Sequence, residues 1–131
     1  RPWQHVMEAL NGYLKLAESL YFNNDKFSEA WNFGPNNEDC RDVGWVLSEF
    51  KKKWDFSISH DQHNHLHERE ILKLDISKAN KELKWKPILS INEAINLTSE
   101  WFRKKSSGEY SENIISDQIN LYEKKYMEST R

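Results

Sequence analysis

"AWNFGPNNED", residues 30–39, decides how this chain is read. Residues 30–34 are short, aromatic and closed by Gly34-Pro35. That pattern predicts a buried strand followed by a polar loop. Two more segments point the same way. "DFSIS" (55–59) alternates apolar and polar residues, and "EILKLDI" (70–76) reads as another strand.

Helical patterns fill the rest. Val6, Leu10, Tyr13, Leu14, Ala17, Leu20 and Tyr21 recur at helical spacing. They predict a helix of about 16 residues with that face turned inward. "NNDK" (23–26) ends it. Val43, Val46, Leu47 and Phe50 predict a second helix ending near Trp54. Asp75 and Ser77 cap a short one, with Ala79 and Leu83 inward. "WKPILS" (85–90) is extended, because the residue before Pro87 avoids the helical region. Ser90 and Glu93 form a capping box. It opens a longer helix with Ile91, Ala94, Ile95, Thr98, Trp101 and Phe102 on one side. Ser116 caps a last helix, with Ile119, Tyr122 and Tyr126 inward. Trp31, Trp45, Trp85 and Trp101 go to the core, and Lys78 to solvent. The expected class is α/β and helix-rich, with few short strands packed on about five helices.

The 131 residues fit one domain, 1–131. Six Trp, five Tyr and six Phe supply core material and exclude disorder. A net charge of -2 excludes an electrostatic footprint for nucleic acid. Lys51, Lys52 and Lys53 read as a solvated helix end. Cys40 is the single cysteine, so an internal disulfide and a thiolate zinc site are excluded. A cytoplasmic protein with no membrane partner is expected. The opening "RPWQHV" has no initiator Met, which suggests a fragment or a processed product.

"HDQHNHLHERE" (60–70) holds His60, His63, His65 and His67. Three readings stand open. His63, His65 and His67 of a free-standing helical binding module can load zinc, although the spacing lacks the helical H-x-x-x-H pair. The segment can be a solvated loop. Its histidines and Glu68 can also hydrogen-bond a diphosphate and sugar hydroxyls.

Four strings bear on that choice: "RPWQHV", "AWNFGPNNED", "HLHEREILKLDISKA" and "LKWKP", in this order and spacing. Together they resemble the C-terminal part of extended short-chain dehydrogenase/reductases of the nucleotide-sugar epimerase/dehydratase family. Pro2-Trp3-Gln4-His5 after Arg1, the Pro after "NFG", and H-x-H-E before "LKLD" are similar to the branch that dehydrates CDP-glucose. The resemblance runs from Arg1 to about Tyr126.

It implies a substrate-binding region whose larger enzyme carries an N-terminal NAD-binding Rossmann domain. That enzyme oxidises CDP-glucose at C4, eliminates water across C5 and C6, and returns the hydride to C6. The chain alone lacks this chemistry. Its glycines, at 12, 34, 44 and 108, form no G-x-x-G-x-x-G. Tyr21 and Tyr122 are followed four residues later by Asp25 and Tyr126 rather than Lys. No catalytic residue, cofactor or metal is therefore expected on this chain. By the resemblance, Arg1 approaches the diphosphate and His65 takes the place of a second diphosphate Arg. His67 and Glu68 orient that loop or touch the ligand. Arg41 reaches phosphate or makes a surface salt bridge. Lys84 stands where the family has Gly. The fragment is expected to be monomeric, and the larger enzyme a homo-oligomer.

The zinc reading separates by titration. Under the nucleotide-sugar reading, His65→Ala and His67→Ala leave zinc affinity unchanged. A loss of roughly tenfold or more in either variant selects the zinc module.

Overall fold

The computed structural model describes residues 1–59 and 72–130. His60, His63, His65, His67 and Glu68 lie outside the described residues, as do residues 70–71 of the expected third strand.

Among the described residues there are six α-helices: α1 Val6–Phe22, α2 Asn24–Phe27, α3 Val43–Lys51, α4 Ser77–Leu83, α5 Ile91–Ser106 and α6 Ser111–Ser129. A 3-10 turn, Asn37–Asp39, precedes α3. No strand occurs among them, and the expected α/β class is corrected to helix-rich. The reason is visible at 30–34. A strand needs a lateral ladder, and this segment's backbone is served by side chains instead. Gln4 Nε2 donates to the Phe33 carbonyl at 3.0 Å. At the start of the segment, Lys78 Nζ donates to the Ala30 carbonyl at 3.1 Å. Aromatic and extended, the segment works as a wedge. Phe33 meets Trp85 edge to face at 5.0 Å and Tyr13 at 5.6 Å. Its ring also lies over Gly12, where a Cβ would come within 2.4 Å of it. The described parts of the other two expected strands, 55–59 and 72–76, likewise form no ladder.

Among the described residues the core has three clusters. Phe27, Phe33, Ala79, Leu83 and Trp85 form the first. Val46, Ile91 and Ile95 form the second, with Trp3, Trp45 and Phe50 against them. Leu89, Leu97 and Tyr122 form the third, with Met7 and Ile88. Ala79 and Leu83 face inward as expected. Trp85 is 1% exposed, while Trp31 and Trp45 are only partly buried.

α1 forms where its spacing predicts, but with most of the expected face turned outward; of that row, Leu20 packs against the first cluster. Val6, Leu10, Tyr13, Leu14 and Tyr21 are exposed, while Glu8 and Gly12 are buried. The deciding group is Glu8, which is 0% exposed. Its Oε1 accepts the N–H groups of Ile88 (2.9 Å) and Leu89 (2.6 Å), and its Oε2 accepts the Tyr122 hydroxyl (2.9 Å). The next two amides end on carboxylates as well. Ser90 N–H donates to Glu93 Oε2 at 2.8 Å, and Ile91 N–H to Asp39 Oδ1 at 2.8 Å. Four successive amides at the entry of α5 are thus held by three carboxylates, where the helix dipole favours negative charge. The expected capping box of Ser90 and Glu93 is present, and Lys125 of α6 pairs with Glu93.

α6 corrects a second expectation. It opens at Ser111, five residues before Ser116, which lies exposed within the helix. Its inward row is Ile114, Gln118 and Tyr122, and Ile119 is exposed. Gln118 Nε2 donates to the Leu97 carbonyl at 2.8 Å, so a polar side chain holds a place that periodicity gives to an apolar one. On α5, Phe102 is exposed where the pattern turned it inward. Lys78 is not merely solvated: it pairs with Glu29 and sits 4.3 Å from the Trp31 ring centre. Asp75 Oδ1 accepts from Ser77 N–H, the first amide of α4, at 2.9 Å, while the N-cap position falls to Ile76 and Ser77 lies inside the helix. Lys84 closes that helix in the left-handed region, at φ 53°.

Burial raises the Glu8 carboxyl above its ordinary 4.5, against the amide and Tyr122 hydrogen bonds that lower it. The folded state therefore keeps this proton to higher pH than the unfolded chain does. Its contribution to stability falls as pH rises from about 4.5 through the folded value. Glu8→Gln keeps an acceptor for both amides, so it should stay within about 1 kcal/mol of the parent at neutral pH and lose that slope. Glu8→Leu leaves three buried donors unpaired and should cost roughly 3 kcal/mol or more in urea unfolding. Lys84→Gly relieves the left-handed strain and should add about 1 kcal/mol in the same assay.

Candidate functional site

The site begins at the one β-bridge of the described residues, antiparallel between Pro2 and Cys40. Arg41 N–H donates to the Arg1 carbonyl at 3.2 Å, and the Arg1 nitrogen donates to the Arg41 carbonyl at 2.7 Å. Trp3 Nε1 donates to the same Arg41 carbonyl at 3.0 Å. Directly opposed residues of an antiparallel pair project to one side. Forty residues apart in sequence, Arg1 and Arg41 thus become neighbours.

Local chemistry fixes this register. Asp39 is buried and tied to the first amide of α5. Asp42 Oδ1 caps α3 by accepting from Trp45 N–H at 2.7 Å. Between these anchors, Cys40 and Arg41 have little freedom. The Arg41 guanidinium lies 5.2 Å from the Trp45 ring centre, and its Nη1 donates to the Cys40 carbonyl at 3.2 Å. Stacking on an indole holds a guanidinium without neutralising it.

On the other side of the 3-10 turn, Gly34 and Pro35 are buried against the 72–76 segment. A Cβ on Gly34 would meet Leu74 at 3.0 Å, so the close approach suits glycine. A cleft of about 340 Å³ opens here, lined by Pro35, Asn36, Asn37, Lys73, Asp75 and Ser77 among others. Lys73 and the two asparagines escaped the sequence reading, which treated "PNNEDCRD" as polar loop and Lys73 as part of a strand. Two asparagines directly after the buried Gly-Pro turn were the available signal.

Arg1 and Arg41 are therefore brought together. The structure does not place His65, His67 or Glu68, which lie outside the described residues. Two guanidinium groups suit a dianion such as a diphosphate, because each can bind oxygens in a fork. The Cys40 thiol donates to the Asn36 carbonyl at 3.9 Å.

A curated protein of Salmonella typhimurium (strain LT2), named CDP-glucose 4,6-dehydratase, is 43% identical over 111 residues. The chain is similar to the C-terminal part of that dehydratase. The match covers 83% of the chain, which spans 31% of the dehydratase's length. No protein-family model matches. Among the described residues, no helix is long and apolar enough to cross a membrane.

Proposed function

We propose that this chain is the substrate-binding part of a CDP-glucose 4,6-dehydratase, which forms CDP-4-keto-6-deoxyglucose. The 43% identity to the Salmonella dehydratase carries the reading. The adjacency of Arg1 and Arg41 agrees with it, since a nucleotide sugar presents a diphosphate between its two recognisable ends. In this reading Arg1 and Arg41 grip the diphosphate. His65, His67 and Glu68 contact the ligand or shape the loop that does.

The reaction needs NAD, and the residues described here do not fit it. Gly12 is packed against Phe33, Gly34 against Leu74, Gly44 lies within α3 and Gly108 follows α5. None opens a helix after a strand, as a dinucleotide loop requires. NAD therefore belongs to the Rossmann domain of a longer polypeptide, a cytoplasmic homo-oligomer in this reading.

The test uses the polypeptide as its gene encodes it. CDP-glucose, UDP-glucose, dTDP-glucose and GDP-glucose are offered separately, and loss of water is followed by mass spectrometry. CDP-glucose should be turned over best. Arg41→Ala should raise KM about tenfold with kcat within about twofold, as for lost uniform binding. Preferred turnover of another nucleotide sugar moves the protein to a sister activity, and no turnover of any removes the reading.

A further inference from the structure

The basic run 51–53 ends beside a cleft. α3 stops at Lys51, and the N–H groups of Lys53 and Trp54 both donate to the Phe50 carbonyl at 2.9 Å. That closing turn fixes where these two side chains leave the backbone. They face a stripe of α5 on which Asn96, Ser99, Glu100 and Arg103 follow at i, i+3, i+4 and i+7. Between the two lies a cleft of about 400 Å³, the size of a small-molecule site. It shares no lining residue with the cleft at Pro35 or with the arginine pair. Trp54 is 37% exposed, and its indole is braced by Phe102, with ring centres 5.6 Å apart. Lys53 and Arg103 bring two positive charges from different segments, and neither carries an ion pair among the described residues. Their neighbours differ: Lys52 is paired with Glu49, and Lys104 with Glu100 at 3.4 Å. The one carboxylate of the lining, Glu100, is thus answered from outside it, and the cleft keeps a positive balance. Asn96 adds a carboxamide that donates and accepts. Ser99, whose hydroxyl donates to the Ile95 carbonyl at 2.7 Å, is buried and forms a small floor.

We infer that this cleft binds a planar aromatic ring bearing an anionic group, with a nucleoside monophosphate as the representative ligand. The ring stacks on Trp54, because any base offers an indole a π-face. Arg103 takes the phosphate in a fork and Lys53 as a point charge. Asn96 meets the polar edge of the base. A neutral sugar would leave both cations unanswered, and inorganic phosphate would leave the indole unused. The inference stands apart from the reaction proposed above. It uses no residue of the diphosphate grip and holds whatever sugar the protein turns over.

The experiment irradiates the encoded polypeptide with azido-AMP and maps the label by mass spectrometry. Excess NAD and CDP are present, so that any site for those two ligands is already filled. Label should fall within 53–54 or 96–103. Lys53→Glu and Arg103→Glu, both at exposed positions, should each lower it at least about fivefold. Trp54→Ala should do the same, while Trp54→Phe keeps a ring against Phe102 and should stay within about twofold of the parent. Arg41→Ala, outside the cleft, should change it by less than about twofold. AMP should displace the label at least about tenfold better than ribose phosphate, which has the anion without the base. Label confined to other segments overturns the inference. So does cleft label that survives both charge reversals, or that Arg41→Ala removes. Displacement by ribose phosphate as effective as by AMP overturns it too, since the cleft is then an anion patch only. Cleft label without turnover of any nucleotide sugar leaves the inference standing and removes only the substrate assignment.

Discussion

Four consecutive amides, from Ile88 to Ile91, each donate to a carboxylate, and the rest of the structure is arranged around them. Glu8 comes from α1, Asp39 from the 3-10 turn and Glu93 from α5 itself. Tyr122 of α6 closes the group by donating to Glu8. Burial and the Glu8 charge both push this phenol's pKa up, so it remains a donor throughout the neutral range. A carboxylate wholly removed from water is costly, and it is tolerated here because both oxygens are engaged at a helix entry. Removing Glu8 would detach α1 from the 88–89 segment and α6 together.

That constraint reaches the candidate site through Asp39. Its bond to α5 holds the end of the 3-10 turn, and two residues later Arg41 lies opposite Arg1. The backbone pairing of the two arginines is therefore positioned by the C-terminal half, although both residues belong to the first third of the chain. Trp45 contributes by lying under Arg41 without supplying a counter-charge. The same constraint explains the apolar face. With Glu8 committed inward, a helix of 3.6 residues per turn must turn Val6, Leu10 and Leu14 outward.

Local chemistry made much of this readable. The capping box at Ser90 and Glu93, the Asp75 bond to the first amide of α4, the extended approach to Pro87 and the existence of α1, α3, α4 and α5 all depend on neighbours within four residues. The left-handed Lys84 was likewise visible as a departure from the expected glycine. In the site, Arg1 was legible through the string "RPWQHV", whereas Arg41 was legible only as a cation in the loop after "NFGP".

Their adjacency was not legible, because it requires Pro2 and Cys40 to pair across 37 intervening positions. The strand expected at 30–34 failed for a related reason. Aromatic alternation reports burial, but whether a buried segment becomes a strand depends on a lateral partner, and Gln4 took the Phe33 carbonyl instead. α1 and α6 show the same limit. Periodicity locates the apolar face, while a single buried carboxylate or amide decides which side packs within the chain. Helix positions and caps thus follow from contacts within a turn. The absence of strands among the described residues, the orientation of α1 and the arginine pair follow from hydrogen bonds between distant segments, whose partners no local pattern names.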